Sequence, residues 1–511
     1  MTHDLPFVHE TPFCEHASHA RLPGAVSIHV EFSLRTERCA GGKGRYLTFG
    51  NVSRPNVSAK SGPGGPPQTH GYALAKYKLP IHVSSAKDGD LRARWIWAIT
   101  LPQMGLMGHW IHTLPRRVGH SAILDTTMDF TLKSLQYFAM PGPANRRAVY
   151  ETKGKSIQQL QGALRMISNG ALGGDGFLCI LLHYWAETFL DINTCDYTHH
   201  MNALAHLLAK SSCAQTLPES VTEIARILCL DVTDGALQRG IDSSLEGFFG
   251  IADGTLATMT DASTAINQLI SQLPRLSRLV RTAAAEPADQ QRIEAARELA
   301  HSLWHSSALP LIEKRVQEGI LPRGPAFKSV SPRDTAFLSF TSLNAFVIAM
   351  DFWYFQNVTC GLLDHLARLC TIEVDLDDVH DRDVRAASNI ADSSDWVYAQ
   401  NQFPPLAMLR YVGPLQISWG AWERLDQRAV DPNSRAHARR MRAQILRMSE
   451  GLLAAWRLAP RIMEGLDGLC EAFAGGELSK CFSAPFVRPI DDLHALMLNG
   501  VAQHLRETTM C

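Results

Sequence analysis

The amino-acid sequence predicts an all-α protein, an irregular array of antiparallel helix pairs that follows a less regular N-terminal segment. Three observations predict it. From about Trp95 onwards apolar residues recur every three or four positions, the period of a helix with one buried face. Pro, Gly and Asn punctuate these stripes at helical lengths. A hydrophobic content of 46% over 511 residues supplies a large core.

Residues 1–94 form the loop-rich N-terminal segment. A strand is expected at Val26–Leu34, where Val26, Ile28, Val30 and Phe32 alternate. The run from Ser61 to Pro67, Ser-Gly-Pro-Gly-Gly-Pro-Pro, cannot be helical and reads as a linker. Residues 95–511 form the helical domain, with a division into two lobes expected near 230–290. Leu124, Met128, Leu132, Leu135 and Phe138 make the first strong stripe, stopped by Pro141-Gly142-Pro143. Ile157, Leu160, Leu164 and Ile167 make the next, closed by Asn169-Gly170. Phe177–Leu190 is apolar almost all round and reads as a central helix. Met201, Leu204 and Leu208 follow, then Val221, Ile224, Ile227 and Leu228. Ile266, Leu269, Ile270 and Leu273 run up to Pro274, which reads as a stop. Ile293, Ala296, Leu299 and Leu303 form one face, with Glu294 and Glu298 on the solvated side. Phe337–Leu369 is aromatic-rich and needs burial in its middle. Asp431-Pro432 supplies an N-cap and a first-turn proline for a helix through Trp456. No period of 20–50 residues marks a repeat family.

Charge and cysteine usage narrow the function classes. The 49 basic and 50 acidic residues give a net charge of -1, which excludes a chain-wide basic field for nucleic acid. The start lacks a basic stretch followed by an apolar run, so no secretory signal is expected. The most apolar windows, Phe177–Leu190 and Ser342–Phe355, carry His183, Glu187, Asn344 and Asp351 and are shorter than the ~20 residues of a membrane span. The 11 cysteines are scattered without a CxxC pair, so most are expected to act as small core hydrophobes. The sequons at Asn51, Asn56 and Asn357 then read as chance matches.

Several constellations invite a chemical reading. Asp377-Asp378-Val379-His380-Asp381 matches the DDxxD pattern that holds Mg²⁺ against a diphosphate in class I terpene cyclases, since hard oxygen ligands suit that ion. The second metal motif of such enzymes is broken here, with Asn389 and Ser393 followed by Val397 where an acid belongs. A solvated acidic loop after a helix ending near Cys370 is the favoured reading. The pairs His16/His19, His109/His112 and His301/His305 and the doublet His199-His200 lack the HExxH context of a catalytic zinc. Cys14 beside His16 and His19 has no partner thiol. His183 and Glu187 lie one helical turn apart on the apolar Phe177–Leu190 segment. An acid–base role is conceivable for them, and a paired polar contact in a helical core is favoured. Arg435, Arg439, Arg440 and Arg442 suit phosphate contact or nuclear import, with a solvated helix face the simpler reading. No GxSxG, P-loop or strand-linked GxGxxG is present. The sequence therefore assigns no catalytic, cofactor-binding or metal residue, and no cofactor.

From His109 to about Leu208 the chain resembles the second type of fungal-specific transcription-factor domain, the helical region that usually follows a Zn2Cys6 cluster. The features that carry the likeness are Trp110 with Leu114-Pro115, the Ser121–Tyr137 helix, and Tyr150 ahead of Ala163-Leu164. Glu187 then ends an apolar helix, and His199/His200 lead to Leu207-Leu208. Phe49–Pro55 is similar to the short segment often found ahead of that region. The six thiolates of the zinc cluster are missing, only Cys14 and Cys39 lying near the N-terminus. The resemblance implies a transcription regulator without its own DNA reader, or one whose gene model is truncated upstream. It implies action through a protein partner such as a DNA-bound transcription factor, with DNA contact indirect or weak and no membrane association. It further implies residence in the nucleus, with shuttling to the cytoplasm, and regulation of a secondary-metabolite gene cluster. The alternatives are a Mg²⁺-dependent isoprenoid-diphosphate lyase and a helical adaptor.

Overall fold

The structure, a computed structural model, describes residues 35–38, 45–48, 79–81, 87–166, 174–192, 196–209, 218–249, 261–321, 337–400, 403–456 and 465–478. The chain divides into two compact units, Met1–Val83 and Ser84–Cys511. In the first, strands β1 (Arg35–Arg38), β2 (Arg45–Thr48) and β3 (Leu79–Ile81) form an antiparallel sheet in the order β1-β2-β3. Arg35 lies opposite Thr48, and Arg45 opposite Ile81. The expected strand at Val26–Leu34, the 61–67 linker, the Phe49–Pro55 segment and Cys14, His16 and His19 lie outside the described residues.

The second unit is all-α. Helix α1 (Lys87–Ile99) leads through two 3-10 turns, Met104–Met107 and His109–Thr113, into the short α2 (Leu114–Arg117). Gly108 joins those turns at φ +104°, and a Cβ there would lie 2.7 Å from both Ile227 and Trp110, so the position requires glycine. The Leu124–Phe138 stripe becomes α3 (Ala122–Ala139), with all five predicted apolar residues buried. α4 (Pro143–Met166) and α5 (Gly174–Asp191) pack against α3 as a three-helix group. Every residue of α5 from Phe177 to Leu190 is buried, as its all-round apolar character predicts. α6 (Tyr197–Ala209) folds back on α5, and α7 (Pro218–Arg239) continues to the short α8 (Glu246–Phe249).

α9 (Ala262–Ala285) opens at Asp261, whose carboxylate accepts from the Ser263 and Thr264 amides. It passes through Pro274 instead of stopping there. The missing amide costs about 3 kcal/mol. Leu269, Leu273, Leu276 and Val280 are buried on both sides of the proline, and each such side chain stabilises by about 1.5–3 kcal/mol, so burial wins. α9 packs on α7 and on α12 (Leu343–Ala367). Across the 230–290 stretch, where a division into lobes is expected, this long buried helix packs on its neighbours on either side.

α10 (Gln290–Trp304) and α11 (Leu309–Gly319) also lean on α12, a second helix that is mostly buried and is capped by Ser342. α13 (Leu376–Asp392), α14 (Ser394–Ala399), α15 (Leu406–Arg428), α16 (Pro432–Trp456) and α17 (Leu466–Phe473) follow among the described residues. The short links between α12 and α13 and between α15 and α16 make contacting, reversing helix pairs. Asp431 caps α16 by accepting from the Ser434 amide at 2.8 Å, as its position before Pro432 predicts. Trp456, at the far end of that helix, packs its ring 4.9 Å from Phe138 of α3. No helix among the described residues is long and apolar enough to cross a membrane.

Candidate functional site

α5 is where buried polar chemistry concentrates, and two networks leave it in different directions. The first is built by α3, α4, α5 and α6. The buried face of α4 is Val149, Thr152, Ser156 and Leu160, while Leu164 of the predicted stripe is 44% exposed. This register turns polar side chains, Ser156 and Lys153 among them, toward the interior. His183, fully buried, places its Nε2 2.9 Å from the Ser156 hydroxyl, which lies 2.8 Å from that of Thr127. Thr127 in turn donates to the Ile123 carbonyl at 2.9 Å. One turn along, Glu187 is 2% exposed and its Oε2 receives the Lys153 ammonium at 2.8 Å. Lys153 also reaches Asp196 at 3.2 Å. His200 of α6 stacks on His183 with ring centroids 5.0 Å apart, and Phe130 closes the other side at 5.2 Å.

Burial governs the protonation of this group. It drives the His183 imidazole down to about 3, helped by the charges of His200 and Lys153. His200 falls to about 4 by burial, with His199 and Lys153 adding repulsion. Glu187 is raised by burial even though Lys153 opposes the rise. Burial lowers Lys153, but its bonds to Glu187 and Asp196 outweigh that and hold it above its ordinary value. At neutral pH the network is two neutral imidazoles beside an ion pair, and Nδ1 of His183 and Oε1 of Glu187 lack hydrogen-bond partners.

The second network uses the neighbouring residue of α5. Tyr184 donates to Asp231 of α7 at 2.6 Å, and Arg410 of α15 stands 3.8 Å from the same carboxylate. Tyr354 of α12 donates to Asp234 of α7, and Asp351 of α12 belongs to the same group of charges. Burial lifts Asp234 to about 7, against the pull of its Tyr354 bond and with Asp231 and Asp351 adding to the rise. It lifts Asp351 to about 7 as well, against the attraction of Arg410. Asp234 feels the charges of Asp231 and Asp351, and Asp351 that of Asp231, so protons are held on Asp234 and Asp351 near neutral pH.

The acidic stretch 375–383 is a correction to the sequence reading. It is the start of α13 and not a solvated loop: Asp375 accepts from the Asp377 amide at 3.0 Å and caps the helix. Asp378 pairs with Arg382 at 2.9 Å, and His380 lies 3.1 Å from Asp364. Asp383 is buried against Arg424 through two hydrogen bonds of 2.9 and 2.8 Å. Asn357, 1% exposed, donates to Asp383 at 2.9 Å, so this sequon residue is a core contact. Asp377, Asp378 and Asp381 do not gather. Among the described residues, the group of three or more metal-capable side chains is His183, Glu187 and His200, with one ligand atom of each within 4.8 Å of the others.

The basic run on α16 is another refinement. Arg435 donates to the Ala429 carbonyl at 2.6 Å, Arg439 pairs with Asp426 at 3.1 Å, and Arg442 pairs with Glu423. Three of its four guanidinium groups therefore tie α16 to the end of α15 and are not a free phosphate-binding face. His301 and His305 are exposed with rings 4.4 Å apart, and His109 and His112 are exposed at 6.2 Å. Among the described cysteines, Cys179, Cys229, Cys360 and Cys470 are buried and Cys370 half-buried, with burial pushing Cys179 and Cys470 up to about 12. Sequence reasoning paired His183 with Glu187 but not with His200, and it missed Asp231, Asp234 and Arg410. The usable signal was an ionisable residue on an otherwise apolar helix face, as at Glu187 and Asp351.

The chain matches no protein-family model, and no curated protein or solved structure is significantly similar to it.

Proposed function

We propose that this protein is the helical regulatory body of a transcription regulator and acts through a protein partner, with an effector sensed between its helices. The observation that supports this best is the fold of the His109–Leu208 segment. The features that resemble the fungal-specific transcription-factor domain fall on one contiguous block of packed helices, α2 to α6, around the buried α5. Trp110 is a buried anchor at its start, and His199 and His200 lie in the first turn of α6 at its end. A helix that carries titratable groups toward two sets of neighbours suits effector sensing, because a ligand that alters one network changes the packing of several helices together.

The lyase reading draws no support from the geometry, since Asp378 and Asp383 are held by arginines and the Asp377–Asp381 carboxylates do not converge. The near-neutral charge favours recognition of a protein over direct binding of DNA. Deletion of the gene followed by transcript profiling, with localisation of the tagged protein, tests the proposal. It predicts altered transcripts, a nuclear pool and co-purification with a DNA-bound partner. Unchanged transcripts together with a purely cytoplasmic protein would refute it.

A further inference from the structure

We infer that His183, Glu187 and His200 form a binding site for a divalent transition-metal ion, zinc being the best match to the donor set. Two imidazoles and one carboxylate are an N/O set that Zn²⁺ accepts in sites with three protein ligands and an open fourth position. Their ligand atoms already lie within 4.8 Å of one another, against the ~3.3 Å separation that bonds of ~2.0–2.1 Å impose in a tetrahedron. Closing that difference falls to His200, which is partly exposed, lies at the start of α6 and has no hydrogen-bonded partner among the described residues.

The hydrogen-bond chain prepares the other two ligands. With the Thr127 proton given to the Ile123 carbonyl, the Ser156 hydroxyl donates to Thr127 and accepts from His183 Nε2–H. The opposite tautomer would leave a buried N–H at Nδ1 without an acceptor, at about 1–3 kcal/mol. The Nδ1 lone pair is therefore the free one, fully buried and unpartnered. Ser156 plays the part that outer-shell partners take at metal-bound histidines, fixing the ring and its proton. Glu187 offers the same opportunity: Lys153 holds Oε2, while Oε1, also buried, has no partner. The carboxylate of Glu187 is thus held on one side by Lys153 and leaves its other oxygen for a cation.

This inference stands apart from the regulatory reading, and transcript data do not bear on it. It is tested by titrating the purified full-length protein with Co²⁺, whose visible absorption reports both geometry and donor atoms, followed by Zn²⁺ competition. One equivalent of Co²⁺ should bind with a tetrahedral or five-coordinate spectrum free of thiolate charge transfer, and Zn²⁺ should displace it. His200→Ala, which leaves the core intact, should weaken binding at least 100-fold, and the isosteric Glu187→Gln at least 10-fold. His301→Ala, on the exposed pair, should change nothing. Melting temperature should rise with Zn²⁺ in the wild type and not in His200→Ala. Absence of stoichiometric binding, a thiolate spectrum, or affinity retained within threefold in His200→Ala would each overturn the assignment.

Discussion

Replacing Asp351 with Asn should stabilise the protein most at pH 8, clearly less at pH 5, and hardly at all below about pH 4. Asp351 is 8% exposed on α12, and burial lifts its carboxyl from an ordinary 3.8 to about 7, with Arg410 only partly offsetting this. A carboxyl raised in the folded state binds its proton more tightly there than in the unfolded chain. Its folded form is favoured below about 4 and loses stability as pH climbs to about 7, where the proton finally leaves. A rise from 3.8 to about 7 corresponds to about 4 kcal/mol, and sharing the field with Asp231 and Asp234 brings the expectation to about 2–4 kcal/mol. Asn mimics the protonated acid in shape and carries no charge at any pH. Urea unfolding of both proteins at pH 5 and pH 8 reads the difference directly, with an unchanged m-value as the sign that only stability moved. If Asp351→Asn destabilises equally at both pH values, Asp351 is ionised in the folded protein and the reasoning fails.

The two networks should oppose each other on the acid side. His183 and His200, depressed to about 3 and about 4, stabilise the folded state above the ordinary histidine value of 6.5 and lose that contribution as pH falls toward 4. In the wild type the two raised acids offset this loss, so an Asp234→Asn, Asp351→Asn double variant should show a steeper fall in melting temperature from pH 6.5 to 4.5. Asp383→Asn should cost about 3–5 kcal/mol in chemical unfolding, because it strands Arg424, whose side chain is 13% exposed, without its counter-charge. Lys153→Met should cost a similar amount by leaving Glu187 buried and unpaired, and adding Glu187→Gln should recover most of it. Ser342→Ala removes the cap on α12 and should cost about 1 kcal/mol in the same measurement.

The helices that the sequence announces most clearly are those whose burial is plainly apolar. The α3 stripe and the all-round apolar α5 follow from period alone, and the start of α16 follows from Asp431-Pro432. The misreadings share a cause: side chains whose role depends on a partner far away in sequence. Pro274 looks like a stop until the apolar face on both sides of it is seen packed on α7 and α12. The α4 face was misassigned because Thr152 and Ser156 are buried polar residues, satisfied by contacts with α3 and α5 that no local pattern reveals. The Asp375–Asp383 stretch looks like loop because its acids are numerous. Asp378 finds its arginine at position 382, while that of Asp383 lies forty-one residues on, at position 424. His200 joins His183 only where α6 packs on α5, so the one cluster of metal-capable side chains among the described residues could not be read from spacing.

A helix buried on every side has no wet face to tell it which way round to sit, because rotating it about its axis exchanges one greasy residue for another at little change in transfer energy. For α5 that orienting task passes to adjacent residues that serve as two indexing pins. His183 is engaged by α4, and Tyr184 by α7. A turn of the helix by a single residue step, about 100°, would unseat both. The polar groups in the middle of this core thus set an azimuth that hydrophobicity leaves undetermined. Their removal should blur the packing into alternative rotational settings before it lowers the melting point.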